Sequence, residues 1–66
     1  MRNPNRIFPM MNEVASLWMA TFPDWRFSQL MMNFFAWLGH DPFYLEDKAL
    51  LEKFKEFCEK VGEKNV

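Results

Sequence analysis

Sixty-six residues, half of them apolar and 18% aromatic, with a formal net charge of −1, describe one small domain with enough apolar surface to fold. The near-neutral charge argues against a general nucleic-acid binder, which carries a basic excess. The single cysteine, Cys58, excludes an internal disulfide and a cysteine-rich zinc site, so packing or a partner must supply the stability.

Prolines and glycines divide the chain into three helical segments. In "MRNPNRIFP", Asn3 precedes Pro4, the order of an N-cap and a first helical residue. Pro9 opposes a helix that begins at Pro4, because beyond the first turn a proline removes a backbone hydrogen bond and pushes the preceding Phe8 from αR geometry. The expectation is a short turn over residues 4–8 and a helix over about 9–21, or one kinked helix. Met10, Met11, Val14, Trp18 and Phe22 recur at three- and four-residue steps and form its apolar face.

"FPDWRFSQ" ends this helix, since Pro23 cannot continue it and Asp24 is placed to cap the next one through the N–H groups that follow. A second helix is predicted over about 26–38, with Phe27, Leu30, Met31, Phe34 and Leu38 on one face and Met32, Phe35 and Trp37 on its flanks. It is apolar over most of its circumference, and Gly39 supplies the left-handed residue that ends it. The run "LMMNFFAWLG" is much shorter than the ~20 residues that cross a bilayer. No apolar run of signal-peptide length follows Arg2 and Arg6, so a cytoplasmic location without membrane association is expected.

The third helix, about 47–61, carries Leu50, Leu51, Phe54, Phe57, Cys58 and Val61 as a single stripe, with lysines and glutamates elsewhere. Glu56 and Lys60 form a favourable i,i+4 pair. Gly62 follows as a C-cap, and residues 1–3 and 63–66 are expected to fray. The fold class is therefore all-α, a compact three-helix domain over 1–66, with Trp18, Phe27, Leu30, Met31, Phe34, Leu50, Phe54 and Phe57 in one core.

"HDPFYLED", residues 40–47, is the one stretch with the look of a site. Taken as chemistry, His40 and Asp41 form a base with its orienting carboxylate, and Glu46 and Asp47 add metal oxygen ligands. Adjacent residues rarely point into one site, however, and there is no second histidine and no recognisable nucleophile setting. Cys58 lies on the buried stripe, where cysteine behaves as a small hydrophobe. A joint between helices accounts for each position instead. Asp41 caps the turn opened by Pro42, His40 caps carbonyls at the end of helix two, and Glu46 and Asp47 place negative charge at the positive end of helix three. Phe43 and Tyr44 are then expected to fold back and plug the open end of the bundle. No catalytic, metal or cofactor residue is assigned, and the structural caps are Asn3, Asp24, Asp41 and Asp47.

Three stretches, "MRNPNRI", "PDWRFSQLMMN" and "DPFYLED", resemble the pattern Met-Arg-Asp-Pro-x-Arg-Ile, Pro-Asp-x-Arg-x-x-Gln-Leu and Asp-Pro-Phe-Tyr-x-Glu-Asp. That pattern is found in a group of small uncharacterised bacterial and phage-encoded proteins. The resemblance covers most of residues 1–51 and departs from the pattern at Asn3 and Pro9. A looser similarity links residues 18–30 to the YihD-like family. Both imply an all-helical fold and no assigned chemistry.

A domain this small buries only about 60% of the surface its unfolded chain exposes, so twelve aromatics and six methionines are difficult to hide. The expected function is a small protein-protein interaction module, on the resemblance an inhibitor or adaptor acting on a host protein, with a protein partner or a homodimer as ligand. Trp25, Met32, Trp37, Phe43 and Tyr44 are the candidate contact residues; the competing account places such residues in an aromatic-rich monomer core. A helix-turn-helix-like nucleic-acid binder, with Arg2, Arg6 and Arg26 on phosphates, is the alternative. An enzyme is not expected, because the chain lacks a Gly-rich phosphate loop and a convergent polar set.

Overall fold

The computed structural model describes residues 2–64, which form three helices with no strand among the described residues. Asn3 opens the fold: its Oδ1 accepts from Asn5 N at 3.0 Å, and a 3-10 turn over Pro4–Arg6 leads directly into α1, Ile7–Thr21. The helix thus begins between the two prolines, two residues before the expected start. This places Pro9 in the first α-helical turn, where the N–H it lacks is one of the groups without an intrahelical partner.

Helix α1 ends at Phe22, whose N–H reaches Trp18 O at 2.9 Å. Trp25 N then donates to Phe22 O at 3.1 Å, so Phe22–Trp25 is a β-turn with proline at its preferred second position. Asp24 occupies the third position of that turn and is exposed. The cap expected of it is made otherwise: α2 runs Phe27–Leu38 with Arg26 as N-cap, and Gln29 Oε1 accepts from Arg26 N at 2.8 Å. The turn is clasped by its own aromatics, because Phe22 and Trp25 stack at 4.0 Å, 6° from parallel, and Trp18 Nε1 donates to Trp25 O at 3.0 Å.

Gly39, at φ +82°, closes α2 with its N–H on Phe35 O at 3.2 Å. Helix α3, Asp47–Lys64, begins after Glu46, whose carbonyl accepts from Leu50 N at 2.9 Å. It extends past the expected end at Val61. Gly62 is therefore a helical residue rather than a cap, set where α3 passes close to α1. Of the ends expected to fray, residues 1, 65 and 66 lie outside the described residues.

Helix α3 is the axis of the fold: α1 and α2 each pack against it but approach one another little. The core is Phe22, Leu30, Phe34, Phe54, Phe57 and Cys58, with Val14, Leu17, Trp18, Trp25, Met31, Trp37, Leu50 and Val61 packed partly buried around it. Phe57 is its hub, with ring centroids 5.5–6.5 Å from those of its neighbours: Phe22 at 5.5 Å, Phe34 at 5.5 Å, Trp37 at 5.6 Å, Phe54 at 6.1 Å and Trp25 at 6.5 Å. Seven of the eight expected core residues are buried or partly so. Phe27 is the correction: it is 54% exposed, because α1 and α2 leave a gap at that position instead of closing over it.

Candidate functional site

The 39–46 connection is built as a joint. Asp41 Oδ1 accepts from Phe43 N at 3.0 Å, an Asx turn, and Leu45 N donates to Pro42 O at 2.9 Å, so Pro42–Leu45 is a second β-turn. Phe43 and Tyr44 are its two central residues. They are 77% and 88% exposed and meet only edge to face, at 4.9 Å. The plug expected of them does not form, because the tip of a tight turn points its side chains away from the body of the fold. His40 also differs from expectation. Its Nδ1 lies 3.4 Å from Asp41 O, not on a carbonyl of α2.

Two ion pairs tie the N-terminal arm to the start of α3. Arg2 grips Glu46 through Nε at 3.2 Å and Nη2 at 2.6 Å, and Arg6 Nη1 lies 3.0 Å from Asp47 Oδ2. The Glu46 hydrogen bonds and charge hold the Arg2 guanidinium above its ordinary pKa. Asp47 sits in the first turn of α3, where a carboxylate favours the helix dipole. Both pairs are exposed to solvent and so serve mainly to position the arm. They also engage two of the three arginines that a nucleic-acid reading would set on phosphates. Among the described residues no group of three His, Cys, Asp or Glu side chains could hold a metal ion.

The expected contact residues separate into two kinds. Trp25 and Trp37 pack against the core, both beside Phe57, and so belong chiefly to the fold. Met32, Phe43 and Tyr44 are exposed, and none of them lines the apolar groove between α1 and α2.

Where α1 and α2 part, α3 floors an apolar groove of ≈ 140 Å³, with Met11 and Val14 on one wall, Phe27 and Met31 on the other, and Leu50 and Phe54 beneath. At this volume it is below the usual 300–1,000 Å³ of a small-molecule pocket. The groove opens onto exposed side chains on both sides. Turning α1 by 100° per residue, one passes from Leu17 and Thr21 on the α3 side to Val14 and Met11, which line the groove, and then to Ala15, Phe8 and Met19. Phe8 is 77% and Met19 75% exposed, and α1 contains no buried residue at all. On α2 the opposite lip is Phe27, Met31 and Phe35. The spacing 8, 11, 15, 19 was the available signal in the sequence, hidden because α1 has apolar residues around more than half its circumference.

Charge is nearly absent from these lips. Helix α2 contains no ionisable side chain, and the one in α1, Glu13, is turned to α3 and paired with Lys55 at 3.2 Å. Among the described residues no helix is long and apolar enough to cross a membrane. Neither protein-family models, nor curated proteins, nor solved structures yield a match to this chain.

Proposed function

We propose that this chain is a small, non-catalytic protein-interaction module acting in the cytoplasm, and that the apolar groove between α1 and α2, with its two lips, is where it meets its partner. The observation that carries the reading is the exposure of Phe8, Met11, Met19 and Phe27 around a groove lined wholly by apolar side chains. Methionine and aromatic residues are enriched at interface centres, and methionine's unbranched chain adapts to the shape of what docks on it. Helix-in-groove recognition uses such a surface. Nucleic-acid binding has less support, since Arg2 and Arg6 are paired with carboxylates and α2 has no cationic residue to offer a phosphate.

The resemblance of the "MRNPNRI", "PDWRFSQL" and "DPFYLED" stretches to phage-encoded proteins makes a larger host protein the partner to seek, with this chain as inhibitor or adaptor. The test is affinity capture from the native host with the wild-type chain and with Phe27→Asp, read by mass spectrometry. A protein retained by the wild type and lost with the variant, at unchanged helicity, is the expected result. Equal recovery with both chains would remove the groove from the reading.

A further inference from the structure

We infer that the open α1–α2 face is also a self-association surface, taken by a second copy of this chain in a two-fold dimer. The inference rests on the docking reading above and names one partner for the same face. Three observations point to a like surface as its occupant.

The first is area. The chain exposes 5325 Å², whereas a compact monomer of 8.0 kDa is expected to expose about 4,450 Å². The excess, roughly 900 Å², belongs to the chain as a whole, including the turn tip at Phe43 and Tyr44. It shows that uncovered surface of the order of the ~800 Å² one partner contributes to a standard interface is present, and the exposed Phe8, Met11, Met19 and Phe27 are part of it.

The second is charge. With no ionisable group on α2 and Glu13 facing α3, the helical surfaces around the groove carry little that would repel their own image, and the exposed Arg26 before Phe27 is the charge at their edge. In an isologous contact each patch meets a copy of itself, so a nearly neutral apolar patch satisfies the symmetry at little electrostatic cost.

The third is shape. Phe8, Met11, Ala15 and Met19 recur at steps of three, four and four residues, the spacing of a helix seam that packs against another helix. Ala15 at the middle of the stripe lets two α1 helices approach closely. In the dimer each α1 seam lies along the other, and Phe8 and Met19 of each copy cover the partner's groove lips. The corner at Phe43 and Tyr44 stays outside the contact.

Sedimentation of the purified full chain across a concentration series, with Met19→Asp, Phe8→Asp and Tyr44→Asp beside the wild type, tests this. A dimer is expected in the wild type and in Tyr44→Asp, with self-association weakened roughly tenfold or more by either α1 substitution, since a desolvated interface residue commonly accounts for that much. Both α1 positions are exposed, and circular dichroism verifies that the variants keep their helices. Concentration-dependent protection of α1 amides from exchange reads the same contact without any substitution. A wild-type chain that remains monomeric at ~0.5 mM, far above the micromolar range of specific complexes, overturns the inference, as does a dimer indifferent to both α1 variants. If that monomer still binds a hydrophobic dye, and Phe27→Asp abolishes the binding, self-association alone fails. A monomer that binds no dye counts against the docking reading as well.

Discussion

Gly62 of α3 faces Thr21 of α1 so closely that a Cβ at position 62 would lie 2.5 Å from Thr21 Cγ2. Real Cβ contacts do not come that near, and the β-branched threonine has few rotamers with which to withdraw. Two effects then oppose each other in Gly62→Ala. Alanine is the better helix former by about 1 kcal/mol, but overpacking costs about 1–3 kcal/mol. We expect a net loss of thermal stability. Thr21→Ser removes the offending methyl, and in that background Gly62→Ala should become neutral or stabilising, a coupling that a double-mutant cycle of melting curves measures.

Phe57 touches the rings of Phe22, Trp25, Phe34, Trp37 and Phe54 and is 1% exposed. Phe57→Ala should cost about 3–5 kcal/mol, enough to unfold much of a domain of this size at room temperature. Phe43→Ala, at the exposed turn tip, should leave the urea midpoint almost where it was.

At the 39–46 joint, Asp41→Ala deletes the acceptor for Phe43 N and should lower stability by about 0.5–1 kcal/mol, the worth of a solvent-accessible hydrogen bond. His40→Ala removes only a 3.4 Å contact with Asp41 O and should not shift the melting temperature. A larger effect at His40 than at Asp41 would contradict the turn as described.

Glu56 accepts from Lys60 Nζ at 3.0 Å and lies 3.6 Å from Lys53 Nζ. The Lys60 hydrogen bond, then the charges of Lys53 and Lys60, hold its carboxyl below the ordinary range. A depressed folded-state pKa stabilises the fold above the unfolded value of about 4.3, and the contribution disappears as pH falls through the folded one. Acid titration of stability should thus be slightly flatter in Glu56→Gln than in the wild type, with salt shrinking the difference.

Cys58 is 5% exposed, and burial pushes its thiol above the usual pKa. Reaction with a thiol-specific disulfide reagent at neutral pH should be slow and should accelerate in denaturant. The folded state holds its proton more tightly than the unfolded one, so this group's contribution is complete below about pH 8.5 and declines as pH rises beyond it.

Much of this architecture can be read from periodicity. Leu30, Phe34, Phe54 and Phe57 sit at helical spacing and are all buried, and Gly39 ends α2 with a positive φ. What periodicity does not convey is which pairs of helices close on each other. Phe27 has the spacing of a core residue, but it faces the gap between α1 and α2. Trp25 and Trp37 looked surplus to a three-helix core, and the hub at Phe57 absorbs both. Gly62 has the composition of a cap, while its position is set by Thr21, 41 residues earlier in the chain. The tip positions of Phe43 and Tyr44 were legible in principle, since Pro42 opens the turn and leaves those two as its middle residues.

The arrangement in which α3 touches both other helices, while those two scarcely touch each other, also bears on the order of assembly. Helices α2 and α3 are neighbours in sequence and can pair after closing one short loop, whereas α1 must find α3 across most of the chain length. Local pairing has the smaller loop entropy, so the α2–α3 hairpin should be formed in the folding transition state and α1 should dock afterwards. Substitutions at Phe34 or Phe54 would then slow folding, and those at Leu17 or Thr21 would chiefly speed unfolding. In the native ensemble the same asymmetry makes α1 a separate unit of exchange, able to lift from α3 without melting the rest.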